Sequence, residues 1–533
     1  MMRPINNPIL RGFNPDPSII RVGEDYYIAT STFEWFPGVQ IHHSRDLVHW
    51  KLIAHPLNRT SQLNMIGNPA SGGVWAPCLS WDGGLFYLIY TDVKTLYTPA
   101  KDTHNYLVTS RDIAGEWSDP VYLNSSGFDP SLFHDDDGRK WLVNMVTDHR
   151  RGKNRFGGIL LQEYSVESQR LIGPVYNIFH GTALGSTEGP HLYKRNGYYY
   201  LITAEGGTSL GHAVTMARST SITGPYEVDP ENPVLTSRED PAWPLQKAGH
   251  ADLVETQTGE WYMVHLCGRP IPSMGRYPLG RETAIQKMVW TPDHWLRLQS
   301  GGKKPQLQVP APGLPEFLHP SETVRDDFDT PELNIHFQTL RIPFTEDIGS
   351  LTERPGYLRL KGRESLSSRH RQSLVARRQQ AFSYTSSTCV EFEPENYKQM
   401  AGLICLYDHE NFYYLLISRD SEKGGKYLTI WSCDNNVFDY PARQDVCIES
   451  WRRCYLKVEV NYHRMRFFYA PDGEHWTPIG PVLDASRLSD GYCREGKFTG
   501  AFVGLCCQDL NGSGKHADFD YFEYLERESG TPE

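Results

Sequence analysis

The amino-acid sequence predicts an all-β chain of two domains, a five-bladed β-propeller followed by a β-sandwich. Three observations predict it. A motif returns on positions 16, 76, 129, 189 and 250, at intervals of 60, 53, 60 and 61 residues. Strand-like runs separated by Gly, Asn and Asp turns continue to the C-terminus with almost no helical pattern. A proline-rich break follows residue 300, and beyond it the repeat stops. Repeats of that length, each too small to bury a face alone, indicate a radial array of small sheets that shield one another's edges. A β-sandwich with chance internal similarity is the alternative.

The first repeat opens with Gly12-Phe13-Asn14-Pro15-Asp16-Pro17-Ser18. Proline restricts the residue before it, so Asp16 is expected to be extended and stiff, at the mouth of a hairpin. The hairpin strands are expected over Ser18 to Val22 and Tyr26 to Thr30, joined by a Gly23-Glu24-Asp25 turn. Ala76-Pro77-Cys78, Asp129-Pro130-Ser131, Gly189-Pro190-His191 and His250-Ala251-Asp252 begin the other four units. Each runs into a Gly-containing turn and an aromatic strand such as Tyr198-Tyr199-Tyr200-Leu201-Ile202. The propeller is assigned to residues 1–300. Residues 301–323, with Pro305, Pro310, Pro312, Pro315 and Pro320, read as a semi-rigid linker. Residues 324–533 read as the sandwich, with strands around 402–407, 413–417, 455–460 and 502–506.

At 533 residues the chain exceeds a single core. Its net charge of −11 leaves no basic footprint for nucleic acid. No apolar run reaches the length of a bilayer span, and the N-terminus carries no apolar signal core, so a cytoplasmic protein is expected. The ten cysteines lack CxxC spacing, and several sit in apolar strand-like runs, where a free thiol behaves as a small hydrophobe. Aromatics at 12% are enough to supply stacking faces as well as core.

Strand starts in a propeller converge on its axis, so equivalent residues face one another at one end of the channel. Asp16, Asp129 and, one residue earlier in its repeat, Glu188 are the acidic members of that ring; His250 is the fifth-blade member, and Trp75 stands where Glu188 does in blade four. Carboxylates in one small cavity raise each other's pKa. Glycoside hydrolysis needs such a set, with one carboxylic acid to protonate the leaving oxygen and one carboxylate opposite it. Any one of these acids could be an ordinary turn cap. Three on the same repeat axis argue for a site. Trp75, Phe33 and Trp35 are candidate sugar-stacking faces. No P-loop, Rossmann glycine pattern, G-x-S-x-G or zinc-ligand spacing is present.

Asn14-Pro15-Asp16-Pro17-Ser18, Trp75-Ala76-Pro77, Gly127-Phe128-Asp129-Pro130-Ser131, Thr187-Glu188-Gly189-Pro190-His191 and Gly249-His250-Ala251-Asp252 together resemble glycoside hydrolase family 43, and the whole chain is similar to its two-domain β-xylosidases. The resemblance implies an inverting, exo-acting enzyme that takes xylose from the non-reducing end of 1,4-β-xylo-oligosaccharides. It implies Asp16 as general base, Glu188 as general acid and Asp129 as the residue that orients Glu188 and adjusts its pKa. Arg281, in Leu279-Gly280-Arg281-Glu282-Thr283, would hydrogen-bond the non-reducing sugar, and Phe498 would bring an aromatic loop of the sandwich to the pocket. The chemistry requires no cofactor, although related members place the equivalent of His250 beside water or a divalent cation such as calcium. A homo-oligomer, by resemblance a tetramer, is expected. Rival readings are an α-L-arabinofuranosidase, a retaining fructan hydrolase with Asp16 as nucleophile, and a non-catalytic sugar-binding propeller. The last is disfavoured because a lectin gains nothing from a proton donor.

Overall fold

A computed structural model of the chain describes residues 4–272, 274–422, 424–494 and 497–527. Two compact units emerge. The first comprises Met1–Arg269 and Arg281–His319, the second Pro270–Gly280 and Pro320–Glu533.

The first unit is a five-bladed propeller. Blade one pairs Ser18–Val22, Asp25–Thr30, Gln40–Ser44 and Lys51–Ala54 in order, and blades two, three and five are likewise four-stranded antiparallel sheets. In blade four both Glu227–Val228 and Leu235–Thr236 pair with the third strand. The five innermost strands are Ser18–Val22, Gly73–Asp82, Ser131–His134, Glu188–Arg195 and Gln246–Glu255, the segments that the five motifs begin. Apolar side chains on facing sheets form clusters between neighbouring blades, for example Leu79, Leu88 and Tyr90 with Ile41 and Val39 between blades one and two.

Polar bonds between blades fall at separations of about one repeat. Lys140 donates to Asp82 (2.5 Å) and Lys194 to Asp135 (2.6 Å), spans of 58 and 59 residues. Ser131 Oγ donates to the carbonyl of Pro190 (2.6 Å). Ser18 Oγ donates to Asp252 Oδ2 (2.9 Å) and accepts from Leu79 N (3.1 Å), so it ties three blades together. The Ser of each Asp-Pro-Ser motif is therefore a fastener between blades. Closure is made by the N-terminal segment: Pro4–Asn6 pairs with Gln308–Pro310, Leu10 bridges Thr283, and Gly12 N donates to Glu282 (2.8 Å). Part of the segment read as a linker thus forms a two-stranded latch within the first unit.

The second unit is a β-sandwich. One sheet is built around His516–Glu526, Ser383–Glu391, Cys454–Asn461 and Arg464–Ala470; the other runs Ser373–Arg378, Phe502–Asp509, Gln399–Asp408, Asn411–Asp420 and Gly425–Asp434. Alternate residues of both sheets, including Val375, Leu403, Cys405, Leu456, Val458, Val503 and Phe519, fill one core. The only helical segment among the described residues is the short 3-10 turn Ala485–Arg487.

Candidate active site

The five repeat positions share an unusual backbone. Asp16 (φ 54°), Ala76 (34°), Asp129 (53°), Gly189 (56°) and His250 (51°) are all left-handed. This corrects the extended geometry expected for Asp16 from the proline that follows it. A left-handed residue other than glycine costs about 1–2 kcal/mol, so four of them in register with Gly189 mean that the fold compensates for the strain. In blades two, four and five the same place shows as a break in strand register, between Trp75 and Cys78, between Glu188 and His191, and between Gly249 and Ala251. Such bulges re-aim side chains beside functional sites.

Asp16 is the most firmly held residue of the ring. Ser31 Oγ donates to its Oδ2 (2.7 Å), Arg281 Nη1 donates to its Oδ1 (3.0 Å), and His250 Nδ1 lies 3.5 Å from the same oxygen. Burial pushes the Asp16 carboxyl up, but Arg281, then His250 and the Ser31 hydroxyl, outweigh it and hold it below the usual carboxylate range. Arg281 reaches the ring because its strand is stitched to the first motif. Asn14 N donates to the Arg281 carbonyl (2.9 Å) and Thr283 Oγ1 to the Asn14 carbonyl (2.6 Å). Thr208 Oγ1 accepts from Arg281 Nη1 (2.9 Å).

Asp129 is buried and accepts from Gly189 N (3.0 Å), the residue after Glu188. Its carboxyl is held well above the usual range by burial, then by the charges of Glu188 and Asp16, against the Gly189 N–H and Arg281. Glu188 is half-buried, and among the described residues its carboxyl has no hydrogen-bond partner. Removal from water and then the Asp16 charge push it up to about 7, with Lys101 and Arg281 pulling the other way. The ring therefore holds one carboxylate that stays ionised and a neighbouring pair that retains a proton near neutrality. That is the division general acid–base chemistry requires.

The aromatic wall is continuous. Phe33 packs on Phe13 (5.5 Å between centroids) and Trp75 (6.0 Å), Trp75 meets Phe128 edge-on (5.4 Å), and Arg281 lies over Phe33 (5.5 Å). The Trp75 indole N–H donates to the Ser71 carbonyl (2.8 Å), which fixes the ring plane. Trp35 is fully buried and presents no stacking face. Phe498 is half-buried and belongs to the second unit.

Several residues of the site were not anticipated. Lys101 lies over Trp75 (5.4 Å) and Phe128 (5.1 Å), close enough to Glu188 and Asp129 to interact with both charges. It comes from the loop between Leu85–Val93 and Thr103–Ser110, and no repeat pattern marks it. Phe128 had a signal: it precedes Asp129 as Trp75 precedes Ala76 and Glu188 precedes Gly189. At the fifth such position stands Gly249, where a Cβ would lie 2.4 Å from the buried His212 ring.

Burial pushes His250 down to about 4, so its imidazole is neutral at neutral pH. Calcium takes six to eight oxygen ligands. Around His250 the charged groups are Asp16, His191, Arg281 and Asp252, and both carboxylates are already engaged, Asp16 by Ser31 and Arg281, Asp252 by Ser18 and Tyr193. No group of three or more His, Cys, Asp or Glu among the described residues is arranged to hold a metal ion. These side chains do not fit a protein-held calcium. Farther along the same strands, a cavity of about 330 Å³ is lined by Ile19, Leu79, Leu132, His191, Tyr193 and Asp252 and contains none of the ring acids.

The glycosyl hydrolases family 43 model matches residues 5–296, from the N-terminal latch strand to the start of the last blade strand. The chain belongs to family 43. The model of the β-xylosidase C-terminal concanavalin A-like domain matches residues 325–525. A Bacillus subtilis (strain 168) β-xylosidase is 54% identical over 98% of this chain and 100% of its own length. A xylosidase/arabinosidase 43B of Humicola insolens is 53% identical over 98% of each chain. The crystal structure of a xylan β-1,4-xylosidase from Bacillus halodurans C-125 is 56% identical, covers 98% of this chain and 100% of that one, and superposes with a TM-score of 0.97.

Proposed function

We propose that this family 43 glycoside hydrolase is an exo-acting, inverting 1,4-β-xylosidase that removes xylose from the non-reducing end of xylo-oligosaccharides. What supports it is the contrast between Asp16, anchored by Ser31 and Arg281 and held below the usual carboxylate range, and Glu188, which has no hydrogen-bond partner among the described residues and is pushed up to about 7. Asp16, ionised and anchored, takes the proton of a water as that water attacks the anomeric carbon. Glu188, protonated and unanchored, gives its proton to the departing oxygen. Asp129 holds the peptide after Glu188 and adjusts the acid's titration by forming one raised pair with it. Arg281 carries guanidinium N–H donors for the sugar hydroxyls and holds Asp16 ionised at the same time. Phe33 and Trp75 supply the apolar wall, and His250, neutral, supports the base.

No step calls for a cofactor, and EDTA is expected to leave the rate unchanged. Ten free cysteines, nine of them buried, support a reducing, cytoplasmic setting. We assign a homo-tetramer, which light scattering on the purified protein measures.

The test is turnover of xylobiose by the full chain, compared with an aryl β-xyloside and an aryl α-L-arabinofuranoside. Release of xylose with the β-xyloside preferred supports the reading; no turnover of any of the three contradicts it. A second activity on the arabinofuranoside is favoured by the name of the Humicola insolens relative, which carries both.

A further inference from the structure

A further buried carboxylate lies behind the acid's loop. Glu205 ends the strand Tyr198–Glu205, and the residue before it, Ala204, is the pairing partner of Glu188. Its side chain is 0% exposed and, among the described residues, has no cationic partner. An unpaired buried carboxylate is expensive unless hydrogen bonds satisfy it. Here every donor comes from the segment leading into Glu188. Thr182 N (2.8 Å) and Thr187 Oγ1 (2.8 Å) donate to Oε1, and Thr182 Oγ1 donates to Oε2. The next residue, Gly206, donates its N–H to the Gly185 carbonyl (2.7 Å).

Residues 181–187 have little to hold them otherwise. Gly181 (φ 79°), Gly185 (φ 70°) and Ser186 (φ 52°) are left-handed, and the internal bonds are Gly185 N to the Thr182 carbonyl (3.2 Å) and Leu184 N to Thr182 Oγ1 (3.2 Å). The packing is tight: a Cβ on Gly181 would sit 2.3 Å from Thr187 Oγ1 and 3.3 Å from Glu205 Oε1. A glutamine with its oxygen at the Oε1 place keeps the bonds from Thr182 N and Thr187 Oγ1, but its NH2 then faces the Thr182 hydroxyl, which must turn from donor to acceptor. A carboxylate is the one side chain of this length that accepts from all three donors.

We propose that Glu205 is a positioning residue for the general acid: its carboxylate clamps residues 182 and 187 and so sets where Glu188 enters the ring. The inference rests on the reading of Glu188 as the acid. Glu205 touches no reacting atom in this scheme. A looser clamp leaves substrate binding and the Asp16 water in place and misplaces the proton donor alone. Misplacement of a catalytic group by about 1 Å costs on the order of 100-fold.

Glu205→Gln, Thr187→Val, Thr187→Ser and Glu188→Ala in the full chain are assayed on xylobiose and on 2,4-dinitrophenyl β-xyloside, whose leaving group departs without protonation. Glu205→Gln is expected to lose about tenfold in kcat on xylobiose and less than about twofold on the aryl substrate, with KM within about twofold on both. Thr187→Val, which removes one donor, is expected to show the same selectivity at about tenfold. Thr187→Ser keeps the hydroxyl and is expected to behave as wild type. Equal losses on the two substrates in Glu205→Gln, or in Thr187→Val if the former does not fold, overturn the inference. If Glu188→Ala is itself unselective, the acid assignment fails and takes the inference with it. Selectivity in Glu188→Ala with none in the other variants removes the inference alone.

Discussion

In blades one and three the acidic residue occupies the left-handed position itself, whereas in blade four a glycine takes that position and the acid stands one residue earlier. The consequence is visible in the bonding. Asp16 and Asp129, short side chains on the strained residue, are buried and accept hydrogen bonds from Ser31 and Arg281, and from Gly189. Glu188, longer by one methylene and off the strained residue, has no hydrogen-bond partner among the described residues. A base that must stay ionised benefits from fixed donors. A proton donor that must follow a departing oxygen benefits from reach and from a raised pKa. In the proposed mechanism one repeat, shifted by a single residue, supplies both. Blade five marks the limit of the pattern, because at its equivalent of Glu188 the His212 ring leaves room for glycine only.

Removing the two acids in turn separates their roles. Asp16→Ala is expected to lose about 10⁴-fold in kcat/KM on xylobiose and on an activated aryl xyloside alike, because both need the activated water. Glu188→Ala is expected to lose about 10³-fold on xylobiose but about tenfold or less on the aryl substrate. Steady-state kinetics on both substrates decides; the reverse selectivity would exchange the two roles.

Asp129→Asn sharpens the account of the raised pair. The rate should follow a bell whose basic limb reports Glu188, near 7 in the free enzyme. Because the two carboxyls titrate as one raised pair, replacing Asp129 is expected to displace the basic limb. Stability depends on the same pair. A carboxyl whose pKa is raised on folding is neutral in both states at low pH and destabilises the native state as pH rises past its unfolded value near 4. Asp129→Asn is therefore expected to match the wild-type Tm near pH 4 and exceed it by pH 7, which thermal melts across that range measure. An unchanged basic limb would remove Asp129 from the acid's control.

The smallest effect concerns the backbone. Gly189→Ala places a Cβ 2.9 Å from His250 Nε2 on a left-handed residue, so it is expected to destabilise by about 1–2 kcal/mol, read from denaturant melts. A neutral result would mean that blade four does not need the glycine and that the one-residue shift has another origin.

Much of this was legible in the sequence because the repeat is. Intervals near 60 residues located five strand starts, and the acids at 16, 129 and 188 fell on them. What stayed hidden depends on contacts between blades or on loops outside the repeat. Pro17 argued for an extended Asp16, and tertiary bonds to Ser31 and Arg281 overrode that local preference. Lys101 enters from a loop that no other blade copies, and Thr208 follows a strand end with no motif. Phe128 was recoverable, since aligning the residue before each left-handed position places it with Trp75 and Glu188. The proline-rich stretch looked like a spacer because its pairing with Pro4–Asn6 spans some 300 residues, beyond any local pattern.

The central claim is that Asp16 activates water while Glu188 protonates the leaving oxygen, with no covalent sugar intermediate. Proton NMR of the first turnover on a β-xyloside tests it most directly, because water delivered by a base inverts the anomeric centre and a covalent nucleophile retains it. α-Xylose is expected as the first product, with β-xylose appearing only at the rate of mutarotation. Immediate release of β-xylose would make Asp16 a nucleophile and contradict it.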